Sequence, residues 1–227
     1  MTIGGMTPII VLAMLYSAPA PSQELWPDTP LARLAAMASL QTLNADLLSH
    51  DSATLTLDRW CARHKLAPHA KIVADRVPGA LSDPPADVRA ELQASDGARI
   101  AYRRVKLRCG ERILSEADNW YVPSRLTEDM NRALETTDMA FGRVVQPLGF
   151  HRRTIAATLL WSPLPDGWDI GLVPLPEANA RAVLDVPEKL IEHRALLIRS
   201  DGKPFSYVVE TYTGGVLDFP PSARPAL

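Results

Sequence analysis

The chain has 227 residues, of which 47% are hydrophobic and 22% are charged, so it is long enough and apolar enough to bury the core of one domain. Its 24 basic and 26 acidic residues leave a formal net charge of −2, which argues against a nucleic-acid partner or an anionic membrane surface. No apolar run reaches the roughly 18 residues that a membrane span needs. The two cysteines exclude a disulfide-rich scaffold and a four-cysteine metal site.

The N-terminus carries an apolar run, PIIVLAMLY at residues 8–16, followed by the small residues of 17–20. This order is typical of a secretory signal peptide. We therefore expect residues 1–20 to be a signal peptide and residues 21–227 to form a single domain of a periplasmic or secreted protein. No Lys or Arg precedes the run, and the alternative is a cytoplasmic protein with a misplaced start.

In the first half of the chain, apolar residues at helical spacing predict a helix over 31–48, behind Pro30, and a second helix over 56–64. A short strand is predicted over 71–76, a helical turn over 87–95, and a helix over 127–135 that begins after the capping residue Thr127.

Strands are predicted more strongly further along the chain. Residues 99–109 and 112–122 alternate around the turn Gly110-Glu111, and 150–161 is a further strand. Strands over 194–200 and 204–213 flank Asp201-Gly202, a hairpin signal. Residues 162–187 contain five prolines and are interpreted as an excursion over the surface. The pattern indicates an α+β fold with an antiparallel sheet and helices on one side.

Cys61 and Cys109 bear on the compartment. In an exported chain such a pair normally forms a disulfide, here closing a loop of about 48 residues. The alternatives are two buried thiols, or a metal site that includes His64 and His69, although that spacing matches no zinc pattern. We expect no metal and no cofactor.

Two charges lie where a sheet usually carries apolar residues. Arg103 shares a strand face with Val105 and Leu107, and Glu210 is the only charged residue between 204 and 213. A buried charge needs a partner or a ligand, so both residues are candidates for a site. The alternative is that both simply face water.

Other polar residues are weaker candidates. They are Glu116 and Asn119 on the return strand, Arg143 after a glycine, and one of Arg152 and Arg153, whose side chains must point to opposite faces of a strand. The histidines His151 and His193 are expected to be structural hydrogen-bonding residues.

The order of these motifs resembles the chorismate pyruvate-lyase family. The segments that carry the resemblance are LLSHDSAT at 47–54, R-x-V-x-L at 103–107, Val122-Pro123, Phe141-Gly142-Arg143 and the hairpin from Asp201 to Glu210. The similarity is dispersed over roughly residues 40–215. It implies a fold in which the sheet encloses an internal ligand cavity, related to the effector-binding domains of some bacterial transcription regulators.

The resemblance also implies roles for single residues. Arg103 would bind a substrate carboxylate, with Arg104 as the alternative register. Phe141 and Ala53 would line the pocket, and Glu210 would lie at the reacting end and handle a proton.

The function that the resemblance implies is elimination of pyruvate from chorismate to give 4-hydroxybenzoate, a carbon–oxygen lyase reaction without a cofactor. The alternative is a non-catalytic protein that binds a small aromatic or cyclic carboxylate. Ala53 in place of the family's methionine, the excursion over 162–187 and the signal-like N-terminus favour this alternative. In either case we expect a monomer.

Overall fold

The computed structural model describes residues 26–221, without the side chains of residues 180 and 181. Within these bounds the larger of two sheets has six antiparallel strands. The expected signal peptide, residues 1–20, lies outside the described residues. None of the helices between residues 26 and 221 has the length and apolar character needed to cross a bilayer.

Five α-helices are present among the described residues: α1 Pro30–Leu48, α2 Ala53–Arg63, α3 Val88–Glu91, α4 Glu128–Thr136 and α5 Phe141–Val144. The three longest begin at side-chain caps, because Thr29, Ser52 and Thr127 each accept a hydrogen bond from the backbone N–H three residues ahead. These caps explain why the helices begin where they do.

Eight strands follow in chain order: β1 Pro27–Asp28, β2 Val73–Arg76, β3 Ala101–Cys109, β4 Arg112–Tyr121, β5 His151–Leu159, β6 Asn179–Val183, β7 Lys189–Ile198 and β8 Pro204–Thr213. The large sheet has the order β2-β3-β4-β8-β7-β5, and β1 pairs with β6 in a separate two-stranded sheet. All described pairings are antiparallel.

One face of the large sheet carries two apolar clusters. The first joins α1 and α2 to β3, β4 and β8, with Leu40, Leu57 and Tyr212 fully buried. The second joins α4 and α5 to Phe150, Leu197 and other residues. The short helix α3 packs on the opposite face of the sheet.

The α+β class and the antiparallel sheet are confirmed, and so are the hairpins around residues 110 and 201. The largest differences in boundaries are at three elements: α2 begins at Ala53 behind the Ser52 cap, α3 ends at Glu91, and β7 begins at Lys189. The excursion over 162–187 contains β6, which the sequence pattern did not predict.

Cys61 and Cys109 form a disulfide between α2 and the end of β3, across a sequence separation of 48 residues. The buried-thiol and metal-ligand alternatives for this pair are therefore wrong. Within residues 26–221, no group of three His, Cys, Asp or Glu side chains is placed to hold a metal ion.

Removing this crosslink with the double variant Cys61→Ala/Cys109→Ala is expected to lower the free energy of unfolding by about 3–4 kcal/mol, since the open chain gains loop entropy. Urea unfolding measures the loss. A reductant should destabilise the wild-type protein by a similar amount and leave the double variant unchanged. A loss below about 1 kcal/mol would contradict the prediction.

Candidate functional site

A cavity of about 40 Å³ lies between the two apolar clusters, under the start of α2 and of α5. On the same measure one water needs roughly 10–15 Å³, so the cavity is small but larger than a single water site. Its apolar wall consists of Val105, Leu107, Ala117, Phe150, Leu197 and Val208. Its polar lining residues are Arg103, Asn119, Arg152 and Glu210 from the strands and Asp51, Ser52 and Thr54 at the start of α2. The cavity is therefore mostly apolar with a few charged groups aimed into it, as in small-molecule sites.

Arg103 lines this cavity and is 6% exposed. Its Nη2 donates to the carbonyl oxygen of Met139 at 3.1 Å, while Nε and Nη1 are buried and have no partner among the described residues. Burial, together with the nearby charge of Arg76, lowers the pKa of Arg103 to about 10. The guanidinium stays charged at neutral pH and has no carboxylate partner among the described residues.

Arg104 lies outside the cavity. Its side chain projects from the other face of β3, where its guanidinium pairs with Glu116 at 3.2 Å and with Asp118 at 3.3 Å. Because strand side chains alternate, only one of the two adjacent arginines can face the helices. The structure adopts the register that places Arg103 in the cavity, and Glu116 also lies on the face away from it.

Glu210 is 7% exposed and lines the same cavity. Arg152 Nη2 donates to its Oε2 at 2.7 Å, and the Tyr212 hydroxyl donates to the same oxygen at 3.1 Å. Burial alone would lower the pKa of Arg152, but the Glu210 carboxylate outweighs burial and raises it. Unlike Arg103, Glu210 already has a charged partner.

Strand register fixes the spacing of these groups. Arg103 on β3 lies opposite Asn119 on β4, and Ala117 lies between Val105 and Glu210 on the next row. Arg103 and Glu210 are thus two strands and one row apart, about 10 Å across the sheet and about 7 Å along it, or roughly 12 Å between Cα atoms. The space between them has small or apolar side chains as its floor.

The amino end of α2 closes the cavity from above. Ser52, Ala53 and Thr54 all line it, so the first unpaired backbone N–H groups of an 11-residue helix lie at its wall. The partial positive charge of a helix N-terminus adds to that of Arg103. Ala53, predicted from sequence, therefore contributes a small side chain at a helix start.

Asn119 supplies a further polar group to the cavity. Its Oδ1 accepts a hydrogen bond from the Ser206 hydroxyl at 2.6 Å, and the side chain is 4% exposed. With the oxygen engaged, the amide NH₂ is the group left to donate into the cavity. Asn119 was one of the weaker candidates from the sequence.

Phe141 lines the cavity at the start of α5, and its ring lies 5.5 Å from that of Tyr121 and 6.3 Å from that of Phe205. Gly142 follows it at a close approach: a Cβ there would lie 2.7 Å from Ser52 Oγ and 3.0 Å from Thr54 Oγ1. The absence of a side chain at residue 142 lets α5 pack on the start of α2.

Gly142→Ala is expected to destabilise the protein by about 1–3 kcal/mol, because the new methyl group must push α5 away from the α2 cap. Urea unfolding measures this loss. Gly97→Ala is the matched control, since a Cβ at Gly97 meets nothing within 4 Å. Equal effects of the two substitutions would show that the close approach is unimportant.

His193 is fully buried on β7, directly opposite Glu210. Its Nε2 lies 2.8 Å from Asn44 Oδ1 on α1, which assigns the proton to Nε2 and leaves Nδ1 without a partner among the described residues. Burial, opposed by Glu210 and aided by Arg152, lowers the pKa of His193 to about 4. The expected structural role of His193 agrees with this geometry.

Because the pKa of His193 falls from 6.5 in the unfolded chain to about 4 in the folded one, the unfolded chain binds the extra proton between these values. Stability is therefore lost as the pH falls through this window. Between pH 7.5 and 5 we expect the wild type to lose about 2 kcal/mol more unfolding free energy than His193→Gln, by urea titration at both pH values. Parallel pH dependences would contradict this.

The remaining arginine candidates from the sequence lie in different surroundings. Arg143 pairs with Asp58 at 2.8 Å, and Asp58 also accepts from the backbone of Ile72, so this arginine ties α5 to α2 and does not enter the cavity. Arg152 is the interior member of its pair, whereas Arg153 reaches the exposed surface and Glu91. The sequence signal for Arg152 was alternation alone, which could not show that its partner is Glu210.

Comparisons with known proteins give one relative of high identity. The chain is 54% identical over 218 residues to "Uncharacterized protein y4mC" of Sinorhizobium fredii (strain NBRC 101917 / NGR234), covering 95% of this chain and 90% of that one. No family model matches.

Similar solved structures include two bacterial proteins. The effector domain of PhnF from Mycobacterium smegmatis has a TM-score of 0.43 at 13% identity, covering 72% of this chain and 89% of that one. The possible transcriptional regulator YydK from Bacillus subtilis has a TM-score of 0.37 at 12% identity, covering 62% of this chain and 58% of that one. The chain thus spans less than two thirds of YydK.

Proposed function

We propose that this chain, which belongs to the same family as protein y4mC of Sinorhizobium fredii, binds a small monocarboxylate in its internal cavity. The observation that supports the proposal is Arg103: a buried guanidinium that lines the cavity with two nitrogens unpartnered among the described residues. A buried cation of this kind is unfavourable unless an anion joins it, and a carboxylate matches a guanidinium in geometry and charge.

The charges of the buried groups set the charge of the ligand. Arg152 and Glu210 neutralise each other at 2.7 Å, which leaves Arg103 and the start of α2 as the positive groups. Asp51 also lines the cavity, but it is exposed to solvent and its Oδ1 accepts from the Arg152 N–H. Among the buried groups, one negative charge on the ligand therefore balances Arg103. A dianion would leave a buried charge without a counterpart.

The residues that line the cavity favour a compact ligand with an apolar ring. Arg103 lies at one end, Glu210 with Arg152 at the other, and Val105, Ala117 and Val208 lie between them. Phe141 offers an aromatic side chain against which a ring can pack. An aromatic or cyclic carboxylate matches this division into a charged end and an apolar middle, and the side chains around the 40 Å³ cavity must move apart to admit its ring.

Thermal unfolding with benzoate and 4-hydroxybenzoate tests the proposal, with benzamide as the uncharged analogue. At about 100 times Kd a bound carboxylate adds about 2.7 kcal/mol, or roughly 5–10 °C in Tm. Benzamide should give no shift, and the carboxylate shift should disappear in Arg103→Met. Equal shifts with benzoate and benzamide, or no shift with any of several small carboxylates, would count against the proposal.

A second candidate is the lyase reaction that the sequence resemblance implies. It is favoured by the fact that Arg103 and Glu210 line one cavity. The charge balance above counts against it, because chorismate carries two carboxylates. In this reaction the ether C–O bond of chorismate breaks, the ring loses a proton and becomes aromatic, and the departing group gains one to become pyruvate. Glu210 would move that proton, but its pairing with Arg152 and Tyr212 makes it a weaker candidate for the role.

Incubation with chorismate separates the two candidates. Release of 4-hydroxybenzoate and pyruvate in equal amounts, lost in Glu210→Gln, would establish the enzyme. Stabilisation by 4-hydroxybenzoate without turnover of chorismate would leave a binding protein.

The disulfide supports export of the protein, because such bonds persist mainly in oxidising compartments. We propose a periplasmic or secreted location with residues 1–20 removed. Mass spectrometry of the protein from its native host checks this proposal. A mature chain that still begins at Met1, with both thiols free, would contradict it.

A further inference from the structure

The two edges of the large sheet differ. The edge strand β2 has only four residues, two of them charged, which are features that discourage pairing with another strand. The opposite edge is β5, with nine residues. Between residues 154 and 160 it carries no charge and no proline.

The first half of β5 is protected. Asp51 Oδ1 accepts a hydrogen bond from the backbone N–H of Arg152 at 2.8 Å, and the ladder to β7 is irregular between Thr154 and Ala156. After this bulge, no side chain of residues 26–221 bonds to the backbone of residues 156–160, and the side chains of residues 157–160 are exposed. An open edge thus begins at residue 156.

The direction of the backbone groups at this edge follows from one hydrogen bond. The N–H of Leu160 donates to the carbonyl oxygen of Leu190 in the neighbouring chain segment at 2.8 Å. Successive residues of an antiparallel strand direct their N–H and C=O groups to alternate sides. Ala157 and Leu159 therefore direct theirs out of the sheet, where a further strand would pair.

Exposed apolar side chains continue from this edge into the excursion. Ile170 is 70% exposed and Leu172 75% exposed. Within the excursion, residues 162–178 carry three acidic residues and no basic one, whereas the start of β5 carries the partly exposed Arg153. Charges of opposite sign therefore flank the open edge, even though Arg153 also pairs with Glu91.

In place of the monomer expected from the sequence, we infer that a second copy of the chain pairs with this edge, antiparallel across a twofold axis at Thr158. Ala157 of each copy would then lie opposite Leu159 of the other, and the four outward N–H groups of these residues would each find a carbonyl. The paired segment carries no charge, so the symmetry brings no like charges together. Arg153 of each copy lies toward the acidic excursion of the other copy.

A single cysteine at the axis tests this geometry. Residues directly opposite in a pair that exchanges no hydrogen bonds have Cβ atoms about 4.5–5.5 Å apart, so Thr158→Cys should form a disulfide between two copies under mild oxidation of the full chain. The native cysteines are already joined to each other. Thr211→Cys, on a central strand of the same sheet, is the control and should stay monomeric on a non-reducing gel.

Sedimentation across a hundredfold range of concentration gives the second test. Thr158→Lys places two ammonium groups together at the axis and should raise the dimer Kd at least tenfold. Thr211→Lys should leave the Kd unchanged. Both threonines lie opposite Glu192, so each added lysine meets this carboxylate within its own chain, and Thr211 also lies opposite Glu116. A wild type that is monomeric throughout, or a dimer whose Kd is unchanged in Thr158→Lys, would overturn the inference.

Discussion

Replacing Arg103 by methionine is expected to stabilise the ligand-free protein by about 1–3 kcal/mol while weakening carboxylate binding at least 100-fold. Stability rises because the substitution removes a buried charge that has only the Met139 carbonyl as a described partner. Methionine keeps most of the volume of the side chain in a cavity with apolar walls. Binding is lost because no other buried group in the cavity carries an unpaired positive charge.

Urea unfolding without ligand and calorimetric titration with benzoate measure the two effects. Arg104→Met is the matched control, since the adjacent arginine is partly exposed and pairs with Glu116 and Asp118 on the other face. It should change stability by no more than about 1 kcal/mol and leave binding intact. A destabilised Arg103→Met protein that still binds benzoate would show that Arg103 is a structural residue.

The fold class was predictable from sequence because the strands show alternation and the hairpins have clear turns. The same alternation placed Arg103 correctly, since it shares a strand face with Val105 and Leu107, which are buried with it. The alternation within a single strand is sufficient to predict on which face of the sheet a side chain lies.

The partners of these residues were not predictable, because they come from distant parts of the chain. Arg152 and Glu210 are 58 residues apart in sequence, and they meet because β7 lies between β5 and β8 in the sheet. The sheet of β1 and β6 was missed for a similar reason. Two short segments without alternation pair because the chain around Trp26 packs against Leu184 and Leu217.

The two arginines of the cavity differ in their charged partners. Both are buried, but Arg152 has its carboxylate within the protein and Arg103 does not. The fixed pair gives the far end of the cavity a defined polar wall, and the unpaired residue leaves one charge for a ligand to balance. The same substitution should therefore have opposite effects on stability at the two positions.

Arg152→Met is expected to destabilise the protein by about 3–5 kcal/mol, because it leaves the Glu210 carboxylate buried with only the Tyr212 hydroxyl. Arg153→Met is the control: it removes an exposed pair with Glu91 and should cost no more than about 1 kcal/mol. The double variant Arg152→Met/Glu210→Gln should recover part of the loss, since both charges are then gone. If the double variant is as unstable as the sum of its single changes, the pair is not coupled. That result would show that this cavity tolerates a buried charge without a counterion. The unpaired guanidinium of Arg103 would then no longer support the proposal of a bound carboxylate.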